Sequence, residues 1–375
     1  MRELLKTHAA LLFAGVASFI LMGAGQSLYG PVLPAFSRGF GLDVSIIGLL
    51  ISAHWVGCAA GVGVMFALPT KVTPRHVLML MLIGAALLAW GANFTVALAG
   101  GFFFGAGYGA ATVVFNPRVL RAFGPRGPAM LSLMNAAFGI GAIIAPLGYV
   151  ALSSDPRPTF AICAALTAAV WLLAGRARES EAAAGPMDSA AFAPHWPILI
   201  FHAMAIAMEA CLIGLGPTAL ISAGLAETRA AELLSAFFIG FLLARLSLTF
   251  FAHLADSLWL GVTAVSLCGA ASIFAATLSP AIGFVVMGFC AGAFFPTIFV
   301  AASATMKGHP RSAVAIIAAG MVGGIFAPLI LSPVLPYLGD FGFFWVFGAL
   351  GLAMGAGGVW LRPILLGPAW RAPAA

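Results

Sequence analysis

Two stretches of the sequence decide its fold: Val77–Trp90, which reads VLMLMLIGAALLAW, and Ala281–Phe295, which reads AIGFVVMGFCAGAFF. Neither stretch contains a charged residue, and both are continuously apolar. Membrane β-barrel strands instead alternate apolar and polar residues over about ten positions. Continuous runs that extend toward roughly 20 residues are typical of helices that cross a bilayer. The pattern therefore predicts transmembrane helices and argues against a barrel.

The same character extends over the whole chain of 375 residues, of which 62% are hydrophobic and 7% are charged. Soluble domains carry about 25% charged residues, so a soluble enzyme, a nucleic-acid binder and a secreted disulfide scaffold are excluded. The five cysteines lie inside apolar runs, without CxxC or CxxH spacing. We therefore expect no metal site, no disulfide framework and no cofactor.

The apolar runs predict an all-α membrane protein with twelve transmembrane helices. The predicted spans are residues 9–35, 45–68, 76–95, 97–117, 128–151, 158–175, 196–223, 231–252, 258–278, 281–304, 312–337 and 342–362. The longest polar stretch separates the sixth span from the seventh. We therefore expect an N-terminal half at 1–175, a cytoplasmic linker at 176–194 and a C-terminal half at 195–375.

The positions of Lys and Arg predict the orientation, because these residues are enriched in cytoplasmic loops. With the N-terminus inside, thirteen of the 17 basic residues fall in inside segments, and only Arg38, Arg157 and Arg229 fall outside. Arg245 is the one basic residue within a span. The predicted location is the cell (inner) membrane, with multiple passes and both termini in the cytoplasm.

A shift of about 183 positions reveals an internal repeat. It places Ser52–Gly57 over Ser235–Gly240, and Gly105 and Gly109 over Gly288 and Gly292. A shift of 182 aligns Gly141 and Pro146 with Gly323 and Pro328, and a shift of 186 aligns Gly30-Pro31 with Gly216-Pro217. Ordered matches at nearly one offset indicate two homologous six-helix halves of the same orientation, which is a known transporter plan.

This architecture resembles the major facilitator superfamily. The loop between spans 2 and 3 keeps the position and the basic end of the family's signature G-x-L-A-D-R-x-G-R-R. The second-half copy, Ala252-His-Leu-Ala-Asp256, matches that signature better. The resemblance implies gating roles for Lys71, Arg75 and Asp256.

Asn116-Pro117 and Asn135–Gly141 are similar to the fucose:proton symporter branch, although Thr112 stands where its sugar symporters carry a carboxylate. The drug:proton antiporters have an arginine where this chain has Gly101. The sequence therefore favours import over drug efflux.

Two ionisable residues lie well inside spans: Glu209 in span 7 and Arg245 in span 8. Such residues are costly in a bilayer and usually functional. Counted from a loop centre near Glu227, each lies 18 residues away, so an ion pair at one depth is predicted. The pair would couple proton or substrate binding to movement, or it would only fasten the two helices together. Alternatively, Glu209 faces the cavity unpaired and carries the proton by itself.

Histidines titrate near neutral pH. His54, next to Trp55 in span 2, is a second candidate for proton coupling or substrate binding, or a residue that only bonds two helices together. A depth count places it opposite Ser27–Tyr29. His202 lies near the inside end of span 7 and is expected at the membrane interface.

The resemblance implies which helices line the central cavity. Neutral polar side chains on those helices suit a sugar or a polyol. The predicted substrate cavity comprises Gln26, Tyr29, His54, Trp55, Asn116, Asn135 and Glu209. Proline removes a backbone hydrogen bond and kinks helices. The predicted hinges are Pro31, Pro146, Pro217 and Pro328.

These features predict a secondary active transporter that moves a small polar solute, a sugar or a related metabolite, by proton-coupled symport and alternating access. The alternatives are a proton-antiport exporter of drugs or metabolites, and a non-transporting sensor or assembly factor. An enzyme is not expected. The expected partners are a small-molecule substrate, protons and membrane lipid, without nucleic acid, and the chain is expected to act as a monomer.

Overall fold

The computed structural model describes residues 2–67, 72–174, 192–251, 255–307 and 309–367. Contacts divide the chain into two compact units, Met1–Ala184 and Gly185–Ala375. Most of the predicted linker at 176–194 lies outside the described residues, so its boundaries stay a prediction. Each unit is built from six long apolar helices.

In the first unit, a short helical turn, Val44–Ile47, precedes the second helix. The six helices are α1 (Arg2–Phe40), α2 (Leu49–Ala67), α3 (Pro74–Trp90), α4 (Phe94–Phe123), α5 (Gly127–Ala151) and α6 (Pro156–Ala174). Helix α2 packs on α4, α1 packs on α5, and α3 packs on α4 and α6.

In the second unit, the tenth helix of the chain is broken into two segments. The helices are α7 (Trp196–Ser222), α8 (Glu227–Phe251), α9 (Ser257–Thr277), α10 (Pro280–Gly292 and Phe294–Thr305), α11 (Pro310–Val334) and α12 (Gly342–Trp360). Helix α8 packs on α10, α7 packs on α11, and α9 packs on α10 and α12. A short helix, Arg362–Leu366, follows α12.

Eleven helical segments of the described chain are long and apolar enough to cross a membrane, and α3, at 17 residues, is a shorter apolar helix. This agrees with the twelve predicted spans. The boundaries differ at several ends: α1 continues to Phe40 and α4 to Phe123, beyond the predicted 35 and 117. Both extensions carry basic residues, Arg38 and Arg121, in the last turn, where cations favour the helix dipole.

Local sequence explains where several helices begin. The side chain of Asn93 accepts a hydrogen bond from the amide of Val96 at 3.0 Å, which caps α4. Asp43 accepts from the amide of Ser45 at 2.8 Å before the short turn. The hydrogen bonds from Ser45 hold the pKa of the Asp43 carboxyl below its usual range. Such caps allow short connections between antiparallel helices.

Glycines set the close approach of α2 to α4, and the same contacts recur in the second unit. A Cβ on Gly105 would collide with the carbonyl of His54, and one on Gly109 with the carbonyl of Cys58. In the second unit the corresponding collisions pair Gly288 with Phe237 and Gly292 with Phe241. Every pair is related by a shift of 183, which confirms two halves with the same packing.

The contact of α1 with α5 and the contact of α7 with α11 correct the predicted match of Gly30-Pro31 with Gly216-Pro217. Gly141 meets Ile20, and Gly323 meets Ala203, so α1 and α7 are also related by a shift of 183. A shift of 183 places Pro217 over Pro34. The Gly-Pro pairs had suggested a shift of 186, which places Pro217 over Pro31, but the helix contacts do not follow that shift. Pro31 and Pro34 both lie inside α1.

Candidate functional site

Glu209 lies in the middle of α7, thirteen residues before Ser222 at its end. The side chain is partly buried, and its Oε2 atom is fully buried without a hydrogen-bond partner in the described chain. Apolar residues dominate this helix, so there is little on it to solvate a charge. An unpartnered carboxylate oxygen in such surroundings is costly when ionised.

Arg245, on α8, interacts electrostatically with Glu209. Its guanidinium lies over the ring of Phe241, with 4.3 Å to the centroid. Its Nε donates a hydrogen bond of 3.4 Å to the carbonyl of Gly292. Gly292 is the last residue of the first segment of α10, so Arg245 links the charge of Glu209 to the break in that helix.

The depth predicted for this pair needs a correction. The turn between α7 and α8 occupies residues 223–226 rather than centring on Glu227. Arg245 therefore lies about five residues farther from the turn than Glu209 does, or roughly 7.5 Å along the axis. Arginine has a long side chain that can span part of this offset. The described chain shows an electrostatic effect of Arg245 on Glu209 and no hydrogen bond to Oε2.

A polar and aromatic cluster lies in the first unit around His54 of α2, which is 1% exposed. Its Nδ1 is 3.2 Å from the hydroxyl of Tyr29 on α1, as the depth count predicts. Its Nε2 is buried without a hydrogen-bond partner in the described residues. His54 therefore bonds two helices together and keeps one ring nitrogen unpaired.

Tyr108 of α4 completes this cluster and was not among the predicted site residues. Its ring meets that of His54 edge to face, with centroids 5.2 Å apart, and also contacts Phe138. Trp55 lies 6.0 Å from His54 and is partly exposed. Tyr108 is one of only four tyrosines in the chain, and its place in the glycine-rich α4 was the available signal.

The other predicted cavity residues differ in their surroundings. Gln26 is 7% exposed, and its Oε1 is buried without a partner in the described chain. Oδ1 of Asn116 is likewise buried and unpaired there. Asn135 is exposed and donates to the carbonyl of Leu131 on its own helix. The structure thus brings Tyr29 and His54 together and leaves Asn135 apart from them.

The shift of 183 relates Gln26 to Glu209. Both residues lie at the same position of repeat-related helices, and each has one buried side-chain oxygen without a partner in the described residues. The first half carries a neutral amide where the second half carries a carboxylate. The ionisable member of the pair is therefore specific to the second half.

His202, whose depth in the membrane stays a prediction, is buried by its neighbours. It is 0% exposed, and the described chain offers neither ring nitrogen a hydrogen-bond partner. The ring packs against Phe295 at 5.6 Å between centroids. A Cβ on Gly320 would lie 3.3 Å from its Nε2. Helix α7 therefore buries a second titratable side chain, seven residues before Glu209.

The predicted gating residues lie at helix starts. Arg75 is exposed and lies over the ring of Trp171 at 5.3 Å. Asp256 caps α9 through the amide of Trp259 at 3.1 Å and pairs with Arg362 at 3.4 Å. Lys71 lies outside the described residues.

The four predicted hinge prolines all lie inside continuous helices and are buried. They are Pro31 in α1, Pro146 in α5, Pro217 in α7 and Pro328 in α11. The break in α10 at Ala293 was not predicted. The described residues contain no cluster of His, Cys, Asp or Glu that could hold a metal ion.

Comparisons with solved structures support the same architecture. A D-xylose-proton symporter superposes with a TM-score of 0.75 at 13% identity, over 93% of this chain and 96% of that chain. The nucleoside transporter NupG gives 0.73 at 15% identity, over 95% and 98%. The E. coli fucose:proton symporter FucP gives 0.60 at 18% identity, over 93% and 98%. At these identities the likeness establishes the shared fold.

The search of curated proteins by sequence finds no match. Residues 15–328, well over half of the chain, match the sequence profile described as Major Facilitator Superfamily. Members of this family are transporters rather than enzymes. The profile, the twelve apolar helices and the repeated packing agree, and the chain belongs to the Major Facilitator Superfamily as a multi-pass membrane protein and secondary transporter.

Proposed function

We propose that this transporter couples the movement of a small polar solute to protons, and that Glu209 carries the coupling proton. The observation that carries the proposal is the buried, unpartnered Oε2 of Glu209 in the middle of α7, within electrostatic reach of Arg245. An ionisable group at this depth is costly unless it is neutralised or paired. Proton binding removes the charge, and proton release restores its attraction to Arg245.

Arg245 connects this protonation to a movement. When Glu209 is ionised, its charge attracts the guanidinium of Arg245, whose Nε also donates to the carbonyl of Gly292. When Glu209 is protonated, the attraction to the carboxylate is lost, and the interactions of Arg245 shift toward the break in α10. The break is a place where backbone hydrogen bonding is already interrupted, so bending there is less costly than within an intact helix.

The proposed substrate is a neutral, hydroxyl-bearing solute such as a sugar. Gln26, Tyr29 and Asn116 supply amide and hydroxyl groups, and two of them have an unpartnered oxygen in the described chain. Unpaired acceptors suit a ligand that donates hydrogen bonds. Two proteins of similar structure, a D-xylose-proton symporter and a fucose:proton symporter, support this class. We also propose a monomer with both termini in the cytoplasm.

Reconstituted liposomes test the proposal with a panel of labelled sugars, organic acids and amino acids. A gradient acidic outside drives uptake by symport, whereas a gradient acidic inside drives uptake by antiport, which is the exporter alternative. One proton per solute gives up to about a tenfold accumulation per pH unit, since one unit is about 1.36 kcal/mol. We expect accumulation of one solute class under the outside-acid gradient.

The variant Glu209→Gln separates coupling from binding. We expect it to exchange internal for external solute while its gradient-driven accumulation falls to a ratio of about one. The matched control is Glu232→Gln. Glu232 is an exposed carboxylate near the start of α8, and it pairs with Arg229 at 2.9 Å. Accumulation by Glu209→Gln at the wild-type level would show that Glu209 carries no coupling proton.

A further inference from the structure

Helix α7 buries two titratable side chains on one face. His202 and Glu209 are seven residues apart, which is nearly two full turns, so their side chains leave the helix in nearly the same direction. The separation along the axis is roughly 10 Å. His202 lies nearer to the start of the helix, the end that the distribution of Lys and Arg predicts to face the cytoplasm.

The imidazole of His202 makes no hydrogen bond within the described residues, although it is completely buried. Its neighbours Phe295, Gly320 and Ile206 offer ring, backbone and alkyl surfaces. A buried polar group without a partner costs about 1–3 kcal/mol. A residue that served packing alone would avoid this cost by being apolar.

The first half shows that an apolar residue is accommodated at this position. The shift of 183 relates His202 to Phe19, which is 4% exposed and buried in α1. The shift of 182 relates Gly320 to Phe138. In the second half the smaller Gly320 leaves room for the ring of His202. Both members of this neighbouring pair therefore differ in residue type from their equivalents in the first half.

We infer that His202 is a second station for the transported proton, between Glu209 and the cytoplasmic end of α7. This inference rests on the proposed function. In the step that it describes, the carboxyl of Glu209 gives its proton to water admitted along this face, and the carboxylate re-forms. The water passes a proton to an unpaired ring nitrogen of His202, which forms imidazolium. The imidazolium then releases the proton to the inner solution and returns to the neutral ring.

No described charged group neutralises His202 directly. The charged or titratable side chains on the described parts of the helices packed against α7, and beside their ends, are Glu227, Arg229, Glu232, Arg245, Cys290, Lys307, His309, Arg311, Tyr337, Asp340 and Arg362. None is hydrogen-bonded to the imidazole in the described chain. The described chain therefore offers no hydrogen-bond partner that would hold the imidazolium in place.

The variant His202→Phe tests the inference, because it places the residue of the first half at the equivalent position. We expect solute exchange and thermal stability close to wild type, with gradient-driven accumulation reduced from about tenfold per pH unit toward one. The control is His8→Phe, since His8 is a partly exposed histidine in α1 that contacts Phe123. This control is expected to accumulate solute like the wild type.

A second variant, His202→Gln, decides the matter if His202→Phe unfolds at a lower temperature. It keeps polarity without a titratable nitrogen, and we expect it to exchange solute and to lose the pH dependence of uptake. Wild-type accumulation in either folded variant overturns the role of His202 while Glu209 keeps its own. Loss of exchange together with accumulation in both variants also overturns it, because a structural role explains that result. If the wild type accumulates nothing in either gradient, the proposed function fails and this inference falls with it.

Discussion

The variant Gly105→Ala tests the packing that holds the cluster around His54. Gly105 of α4 faces the backbone of α2, and an added Cβ would lie 2.8 Å from the carbonyl carbon of His54, 3.0 Å from its Cα and closer still to its oxygen. The colliding atoms are backbone, so no side chain can rotate away. The two helices must separate by roughly 1 Å, against an interior as dense as an organic crystal.

The cost follows from these contacts. Overpacking of a close-packed interior costs about 1–3 kcal/mol, and collision with backbone places this variant toward the upper end. The better helix propensity of alanine offsets about 1 kcal/mol of this loss of stability. The control Gly63→Ala, on α2, has nothing within 4 Å of the added Cβ and gains the propensity alone. We therefore expect Gly105→Ala to be less stable than Gly63→Ala by about 2–3 kcal/mol.

Thermal unfolding of the purified proteins in one detergent measures this difference. At roughly 2–4 °C per kcal/mol for a unit of this size, the two variants should differ in Tm by about 4–12 °C, with Gly105→Ala the lower. The repeat predicts the same loss for Gly288→Ala, whose Cβ would meet the backbone of Phe237. Equal Tm values for Gly105→Ala and Gly63→Ala would refute the close approach of α2 and α4.

Two further substitutions test other contacts. Tyr29→Phe removes the hydroxyl 3.2 Å from Nδ1 of His54 and should destabilise the protein by about 1–3 kcal/mol by leaving that nitrogen unpaired. Tyr337→Phe, at an 88% exposed position, should leave the Tm unchanged, and an equal effect of both would contradict the bond. Asp256→Ala removes both the cap of α9 and the contact with Arg362 and should cost about 0.5–2 kcal/mol, whereas Asp256→Asn keeps a capping side chain and should cost less. Equal Tm losses for these two variants would show that the cap does not contribute.

The architecture was predictable because its causes lie in the sequence itself. Continuous apolar runs determine which segments enter the membrane, and glycines such as Gly105 and Gly288 mark the helix contacts that the two halves share. The approach of His54 to Tyr29 was also predictable, because depth along two adjacent antiparallel helices follows from counting residues. The position of the turn between them is the only other quantity that such a count needs.

The relative depth of Glu209 and Arg245 was less predictable, because a count of residues depends on where the turn between the two helices lies. A displacement of the turn between α7 and α8 by a few residues moves Arg245 by roughly 7.5 Å relative to Glu209. The break at Ala293 was missed although it has a local cause: Pro296 has no amide hydrogen to donate to the carbonyl of Gly292 four residues earlier. The structure shows that this carbonyl accepts from Arg245 instead. The burial of His202 depends on which residue faces it from α11, and Gly320 could be assigned to it only after the register between the helices was known.

The two halves share a scaffold, but they differ in how they use their buried polar positions. In the first half, one ring nitrogen of His54 is engaged by Tyr29, and the position equivalent to Glu209 holds the neutral Gln26. In the second half, Glu209 and His202 lie on one helix face with unpartnered polar atoms in the described chain. His202 stands where the first half has Phe19, and Gly320 stands where it has Phe138, so the second half has the smaller residue beside the imidazole. Because the helix contacts repeat on both sides of this exchange, the scaffold makes room for the imidazole without altering its packing. Each half buries a histidine with a ring nitrogen that has no partner in the described chain, His54 in the first and His202 in the second. The second half adds the buried carboxylate of Glu209 where the first has an amide.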